Sequence, residues 1–141
     1  MKISDYLQKH ATNKADHLAL KEGDRELSYS DLTRECQRWA NLYHAIGLSP
    51  GDRLGIALRD DIDHVLAVLA AAHIGITVVP VDWRAPQDEK KRIAENFDMK
   101  RVLLDRPCPT LAKKGILLDD DLRQQITTCS ISCAPCGNYQ I

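Results

Sequence analysis

An α/β fold, built from βαβ units around a mainly parallel sheet, follows from three observations in these 141 residues. Short β-branched or aliphatic runs alternate with longer segments whose apolar residues recur at helical spacing. Glycine, proline and aspartate fall at the joints between them. A composition 44% hydrophobic and 28% charged, with a net charge of -1, supplies a core without the charge skew of a disordered tail or a nucleic-acid binder.

The elements follow in order. Ile3 to Lys14 carries Ile3, Tyr6 and Leu7 at helical spacing and reads as a short amphipathic helix. Leu18-Ala19-Leu20 and Glu26-Leu27-Ser28-Tyr29, separated by Gly23-Asp24-Arg25, read as an antiparallel hairpin. From Ser30, Leu32, Cys36, Trp39, Ala40 and Tyr43 line one face of a helix that Gly47 closes. Leu48 to Asp52 is a turn, and Arg53 to Leu58 a strand in which Leu54, Ile56 and Leu58 alternate with the rest.

Asp60 or Asp61 can cap a buried helix from Ile62 to Ile74, which Gly75 stops before a strand at Thr77 to Val81. Ala85-Pro86 opens another helix with proline in its first turn, and Asp88 and Glu89 lie near its positive end. Arg101 to Asp105 and Ile116 to Leu118 are further strands. Alternation of this kind predicts right-handed crossovers.

Several functions are excluded or disfavoured. With 5% aromatic residues and one Phe, Phe97, a base-stacking platform is disfavoured, so no nucleic-acid partner is expected. Val65 to Val81 is mainly apolar, but His73, Gly75, Thr77 and Pro80 interrupt it, and a spanning helix needs about 20 apolar residues. No membrane span and no secretory signal are read, and a cytoplasmic location is expected. Five cysteines then default to free thiols.

Chemical signatures are sparse. The seven glycines form neither G-x-G-x-x-G nor G-x-x-x-x-G-K-[ST], and there is no G-x-S-x-G elbow. Cys129, Cys133 and Cys136 have a spacing that could hold an iron–sulfur cluster or, with a fourth ligand, zinc, but the bland reading is a chance cluster near the chain end. His10, His17, His44, His64 and His73 show no ligand spacing. Asp60, Asp61 and Asp63 read as cap and solvent groups, Asp119 to Asp121 as a solvated helix start, and Lys90, Lys91 and Arg92 as a solvated face that could alternatively bind an anion.

Three segments together resemble the amino-terminal portion of the AMP-forming adenylating superfamily, which includes acyl-CoA synthetases, luciferases and peptide-synthetase adenylation domains. Leu27-Ser28-Tyr29-Ser30-Asp31-Leu32 is similar to the early L-[ST]-Y-x-[ED]-L motif and is followed by a helix, Gly47 and Pro50-Gly51-Asp52-Arg53. Val65 to Gly75 followed by Val78-Val79-Pro80-Val81-Asp82 resembles the helix, glycine and V-P-[ILV]-[DN] strand. Trp83-Arg84-Ala85-Pro86 with Glu89-Lys90 resembles the next loop and helix, in the form found in acyl-CoA synthetases.

The resemblance implies an acid–thiol ligase of the AMP-forming type, as in fatty acid metabolism: ATP and a carboxylate give an acyl-adenylate, which passes to coenzyme A. ATP, Mg²⁺ and coenzyme A are the implied cofactors of the complete enzyme, and none is expected for this chain. The family's phosphate loop is expected soon after Leu117, yet the sequence there reads Ile126-Thr127-Thr128-Cys129-Ser130-Ile131-Ser132-Cys133, without S-G-[ST]-T-G-x-P-K-G.

Residues 1–125 therefore read as a partial amino-terminal domain and 126–141 as a divergent Cys-rich tail, poorly ordered and of different origin. The expectation is an inactive fragment with no catalytic or metal residue. Trp83 and Arg84, at a strand end, are the candidate substrate-binding residues. The plainer alternative has Trp83 covering the sheet and Arg84 pairing with a carboxylate. A rival function is a non-catalytic binding or complementation module, pairing with a separate remainder of the ligase or with itself through open sheet edges.

Overall fold

The computed structural model describes residues 2–128. Helix α1, Ile3–Asn13, opens with the Lys2 backbone N–H donating to Asp5 and lies on the surface with no buried residue. Strands β1, Leu18–Glu22, and β2, Arg25–Ser28, form the expected antiparallel hairpin, with Leu20 opposite Leu27 and Lys21 opposite Glu26. Helix α2, Tyr29–Ala45, begins one residue before the expected start because Ser28 closes a capping box. Its hydroxyl accepts from the Asp31 N–H, and the Asp31 carboxylate accepts from the Ser28 N–H.

The second unit is a four-stranded parallel sheet. Strand β3, Arg53–Ala57, leads through α3, Ile62–His73, to β4, Thr77–Pro80. Helix α4, Gln87–Asn96, then leads to β5, Arg101–Leu104, and a 3-10 turn at Pro109–Leu111 to β6, Gly115–Leu117. Helix α5, Asp120–Thr128, follows. The spatial order is β4-β3-β5-β6, every neighbour pair parallel. The Asp61 carboxylate accepts from the His64 N–H and caps α3, whereas Pro86 stands just before α4 as its cap residue rather than inside its first turn.

Alternation along the strands divides the core in two. Leu54, Ile56, Leu58 and Leu103 pack against α2, α3 and α5 on one face. Ala57, Val102 and Leu104 pack against Ala94 of α4, Met99 and Leu111 on the other. The pattern of β3 therefore departs from a half-buried strand: Gly55 and Ala57 are as buried as Leu54 and Ile56, because helices cover both faces of a parallel sheet. Gly55 is required there, since a Cβ would stand 2.6 Å from Met99 Sδ and 3.2 Å from both Val102 methyls.

This topology creates a switch point. Helix α3 carries the chain from β3 outward to β4 on one face, and α4 carries it back past β3 to β5 on the other. The connections part between β3 and β5, and open α/β sheets bind ligands outside the carboxyl ends of strands at such a point.

Candidate functional site

Residues leaving the carboxyl ends of β3, β4 and β5 converge on one indole. The guanidinium carbons of Arg59, after β3, and Arg106, after β5, lie 4.9 and 4.8 Å from the Trp83 ring centroid, and that of Arg84 lies 5.8 Å away. Cations at this range are attracted by the ring quadrupole. Arg59 and Arg84 are mostly exposed and Arg106 is half-exposed, so the cluster opens to solvent.

Two carboxylates hold the arrangement. Asp105 accepts from Arg59 Nε at 3.0 Å through Oδ2, while its Oδ1 is buried without a hydrogen-bond partner, 3.7 Å from Arg106 Nε. Asp82 accepts from the Arg84 N–H at 2.9 Å and from Arg84 Nε at 3.2 Å. The backbone N–H first and the guanidinium second hold the Asp82 carboxyl below its ordinary value. Under the loop, Lys90 Nζ donates to the Trp83 carbonyl at 2.8 Å.

Three guanidiniums outnumber two carboxylates beside an aromatic face, a combination suited to holding a planar, anionic group. Neither a nucleophile with its base nor an acid–base pair is present in the cluster.

The structure pairs Arg84 with the Asp82 carboxylate and sets the Trp83 ring against guanidiniums. Arg59, Asp105 and Arg106 were missed from the sequence. Each follows a strand within two residues of its end, so applying the strand-end rule to β3 and β5 as well as β4 would have found them.

Other expectations change. Lys90 is not on a solvated face with Lys91 and Arg92: it is only 3% exposed, because its position on α4 points under the Trp83 loop. Asp63 is neither cap nor solvent group. It is buried and accepts from Arg25 Nη1 of β2 at 2.9 Å and Arg123 Nε of α5 at 3.3 Å, joining the hairpin to α3 and α5. Asp119 caps α5 by accepting from the Leu122 N–H. Cys129, Cys133 and Cys136, and the tail beyond 128, lie outside the described residues.

The chain's fit to the implied cofactors divides. Among the described residues no group of three or more His, Cys, Asp or Glu side chains could hold a metal ion. Gly51 and Gly75, which have positive φ, precede β3 and β4, at the end of the sheet opposite the arginine cluster, and give no phosphate cradle there. The Trp83 cluster, with its three guanidiniums, fits an anionic ligand. Among the described residues no helix is long and apolar enough to cross a membrane.

Comparison with known proteins yields a consistent set. The sequence model described as AMP-binding enzyme matches residues 7–137. Tenellin synthetase of Beauveria bassiana is 33% identical over 95 residues, which is 67% of this chain and 2% of that protein. The 3-oxocholest-4-en-26-oate–CoA ligase of Rhodococcus rhodochrous is 26% identical over 130 residues, 85% of this chain and 23% of that protein. The fatty acyl CoA synthetase of Mycobacterium tuberculosis superposes with a TM-score of 0.85 over 96% of this chain and 30% of its own, with 19% identity, a likeness of fold. The chain thus spans less than a quarter of the length of these two curated relatives.

Proposed function

The chain belongs to the AMP-binding enzyme family, and from that premise we propose that it is a segment of an acid–thiol ligase that contributes a binding surface rather than the reacting groups. The complete enzyme would activate a carboxylate with ATP to an acyl-adenylate and pass the acyl group to coenzyme A. The observation that carries this reading is the Arg59–Trp83–Arg106 cluster at the switch point, which suits the phosphorylated, purine-bearing end of coenzyme A. Trp83 supplies a flat face, and Arg59, Arg84 and Arg106 supply positive charge without general acid or base chemistry.

The chain by itself is not expected to form an adenylate. Transfer at the α-phosphate relies on donors and Mg²⁺ placed around the developing charge, and among the described residues no group of three or more His, Cys, Asp or Glu side chains could hold the metal. Two measurements on the purified chain test the proposal. ATP–pyrophosphate exchange with a panel of carboxylic acids should not exceed the blank. Calorimetric titration with coenzyme A at low salt should show binding that Arg106→Met weakens; no binding by the parent chain would remove the ligand assignment, and exchange above blank would remove the claim of inactivity.

A second reading is favoured by the sheet itself. Among the described residues, β4 and β6 each have one neighbour, leaving a free edge on either side of the sheet. Such edges template pairing, so a complementation module would join a separately made remainder of the ligase. Co-expression with that remainder and recovery of ligase activity in a co-purified complex would support this reading.

A further inference from the structure

Two charged side chains are buried among the described residues, and they are treated differently. Asp63 is neutralised by Arg25 and Arg123. Lys90, 3% exposed, forms no ion pair among the described residues, though its charge acts on the Asp82 carboxylate at longer range, and its ammonium donates to the Trp83 backbone carbonyl. It also stands in the first half of α4, the end at which a helix dipole disfavours a cation. A leucine or methionine would occupy this space at lower cost than a desolvated ammonium.

We propose that Lys90 is a positioning residue: its buried ammonium is a strut that fixes the Trp83 carbonyl and so sets the indole where Arg59 and Arg106 converge. The proposal rests on the reading of the Trp83 cluster as the ligand surface. The loop from Asp82 to Ala85 is otherwise held by its own short turn, in which the Ala85 N–H donates to the Asp82 carbonyl and the Arg84 N–H to the Asp82 carboxylate. Those bonds shape the loop but do not tether it to α4. The Lys90 strut does, and because α4 packs through Ile93 and Ala94 on the sheet, the tether refers the indole to the strands that deliver Arg59 and Arg106.

The test uses the whole chain, whose two tryptophans are the buried Trp39 and the half-buried Trp83. Lys90→Met keeps the side-chain length and removes the charge. The expected result is an unfolding midpoint in urea equal to or above the parent's, with Trp83 emission shifted to the red and acrylamide quenching raised about twofold, as a ring gaining fast local motion would give. Emission and quenching equal to the parent's in a folded Lys90→Met chain would overturn the proposal.

A measurement on the unsubstituted chain covers the case in which Lys90→Met does not fold. In a chain labelled with ¹⁵N-lysine, a side-chain ammonium protected from exchange should show a nuclear Overhauser contact to Trp83, and its absence would equally overturn the strut. Neither readout needs a ligand. Failure of the parent chain to bind coenzyme A would remove the ligand assignment while leaving these signals, whereas Arg106→Met should lower affinity and leave the ammonium resonance in place.

Discussion

Arg59, two residues beyond the end of β3, and Asp105, the first residue after β5, form an ion pair with Nε and Oδ2 3.0 Å apart, bridging the two strands between which the chain connections part. The pair closes the floor of the cluster and removes one positive charge from it. Asp105→Asn should therefore raise affinity for an anion such as pyrophosphate or coenzyme A by about three- to tenfold at low salt. One unit charge a few ångströms away is worth on the order of 1 kcal/mol near a protein surface. Titration of Asp105→Asn against the parent at two salt concentrations checks this. Equal affinities would show that Asp105 does not compete with the ligand for Arg59 and Arg106.

Gly55 is a packing glycine in the middle of β3. A Cβ would meet Met99 Sδ, the movable end of a flexible side chain, but also both methyls of Val102 on the neighbouring strand β5, each 3.2 Å away. Val102 is 1% exposed and β-branched, so it has nowhere to turn. Gly55→Ala should destabilise the chain by roughly 1–3 kcal/mol, the usual range for overpacking, with a lower urea midpoint and an unchanged slope. Converting Met99 to Ala in the same chain should not rescue it, because Val102 remains.

How far these features were legible depends on the range of the interaction. The helical face of Leu32, Cys36, Trp39, Ala40 and Tyr43 was read correctly because burial in α2 follows local periodicity, and all five are buried. The hairpin was read from Gly23-Asp24-Arg25 between two apolar runs, and the two strands do pair antiparallel, with Arg25 already inside β2. What periodicity does not contain is which element lies on the second face of a strand. Gly55 and Ala57, which fall between Leu54, Ile56 and Leu58, are buried as well: Met99 and Val102 lie against Gly55, and Ala57 belongs to the cluster that contains Ala94 of α4 and Leu111.

Of the cluster, Trp83 and Arg84, adjacent in the chain, were named from the sequence, and Arg59 and Arg106, which strand order brings to the same ring, were not. Lys90 and Asp63 misled for a shared reason. A charged residue in a polar run reads as solvated, and only the tertiary partner, a carbonyl for one and two guanidiniums for the other, makes burial tolerable.

Tyr43, fully buried, donates its hydroxyl proton to the Ala67 carbonyl at 2.8 Å, linking α2 to α3 through a bond between residues 24 apart. Tyr43→Phe removes the donor and keeps the ring with its edge contact to Trp39. The loss should be about 0.5–1.5 kcal/mol, read from urea denaturation. A Tyr43→Phe chain as stable as the parent would mean that the helix contact is held by apolar packing alone.

Titratable groups set a stability plateau whose edges can be placed by sign. Burial pushes the Cys36 thiol up to about 12 from an ordinary 9.0, with Glu35 adding to it, and raises the Tyr43 hydroxyl well above its ordinary 10.0. A folded value above the unfolded one means that the folded state resists ionisation, so the stability is whole below the unfolded value and declines as pH rises above about 9. On the acid side, burial lowers the His73 value from 6.5, so its contribution is whole above 6.5 and is lost as pH falls below that. Asp31 and Asp52 lie below 3.8 through hydrogen bonds from the Ser28 and Ser49 backbone N–H groups first, and their contribution is lost only at lower pH still.

Urea midpoints measured from pH 3 to pH 11 should accordingly be flat between about pH 7 and pH 9 and fall on both sides. Cys36→Ala should reduce the alkaline fall without moving the acid one, since of the two buried groups with raised values the thiol ionises first in the unfolded chain. The same burial predicts that Cys36 resists iodoacetamide at pH 8 in the folded chain and reacts in urea, because the thiolate is the nucleophile. Peptide mapping after alkylation separates it from the other cysteines. Modification of Cys36 in the folded chain at the unfolded rate would mean that α2 opens locally, and the alkaline limb would then report that opening rather than global unfolding.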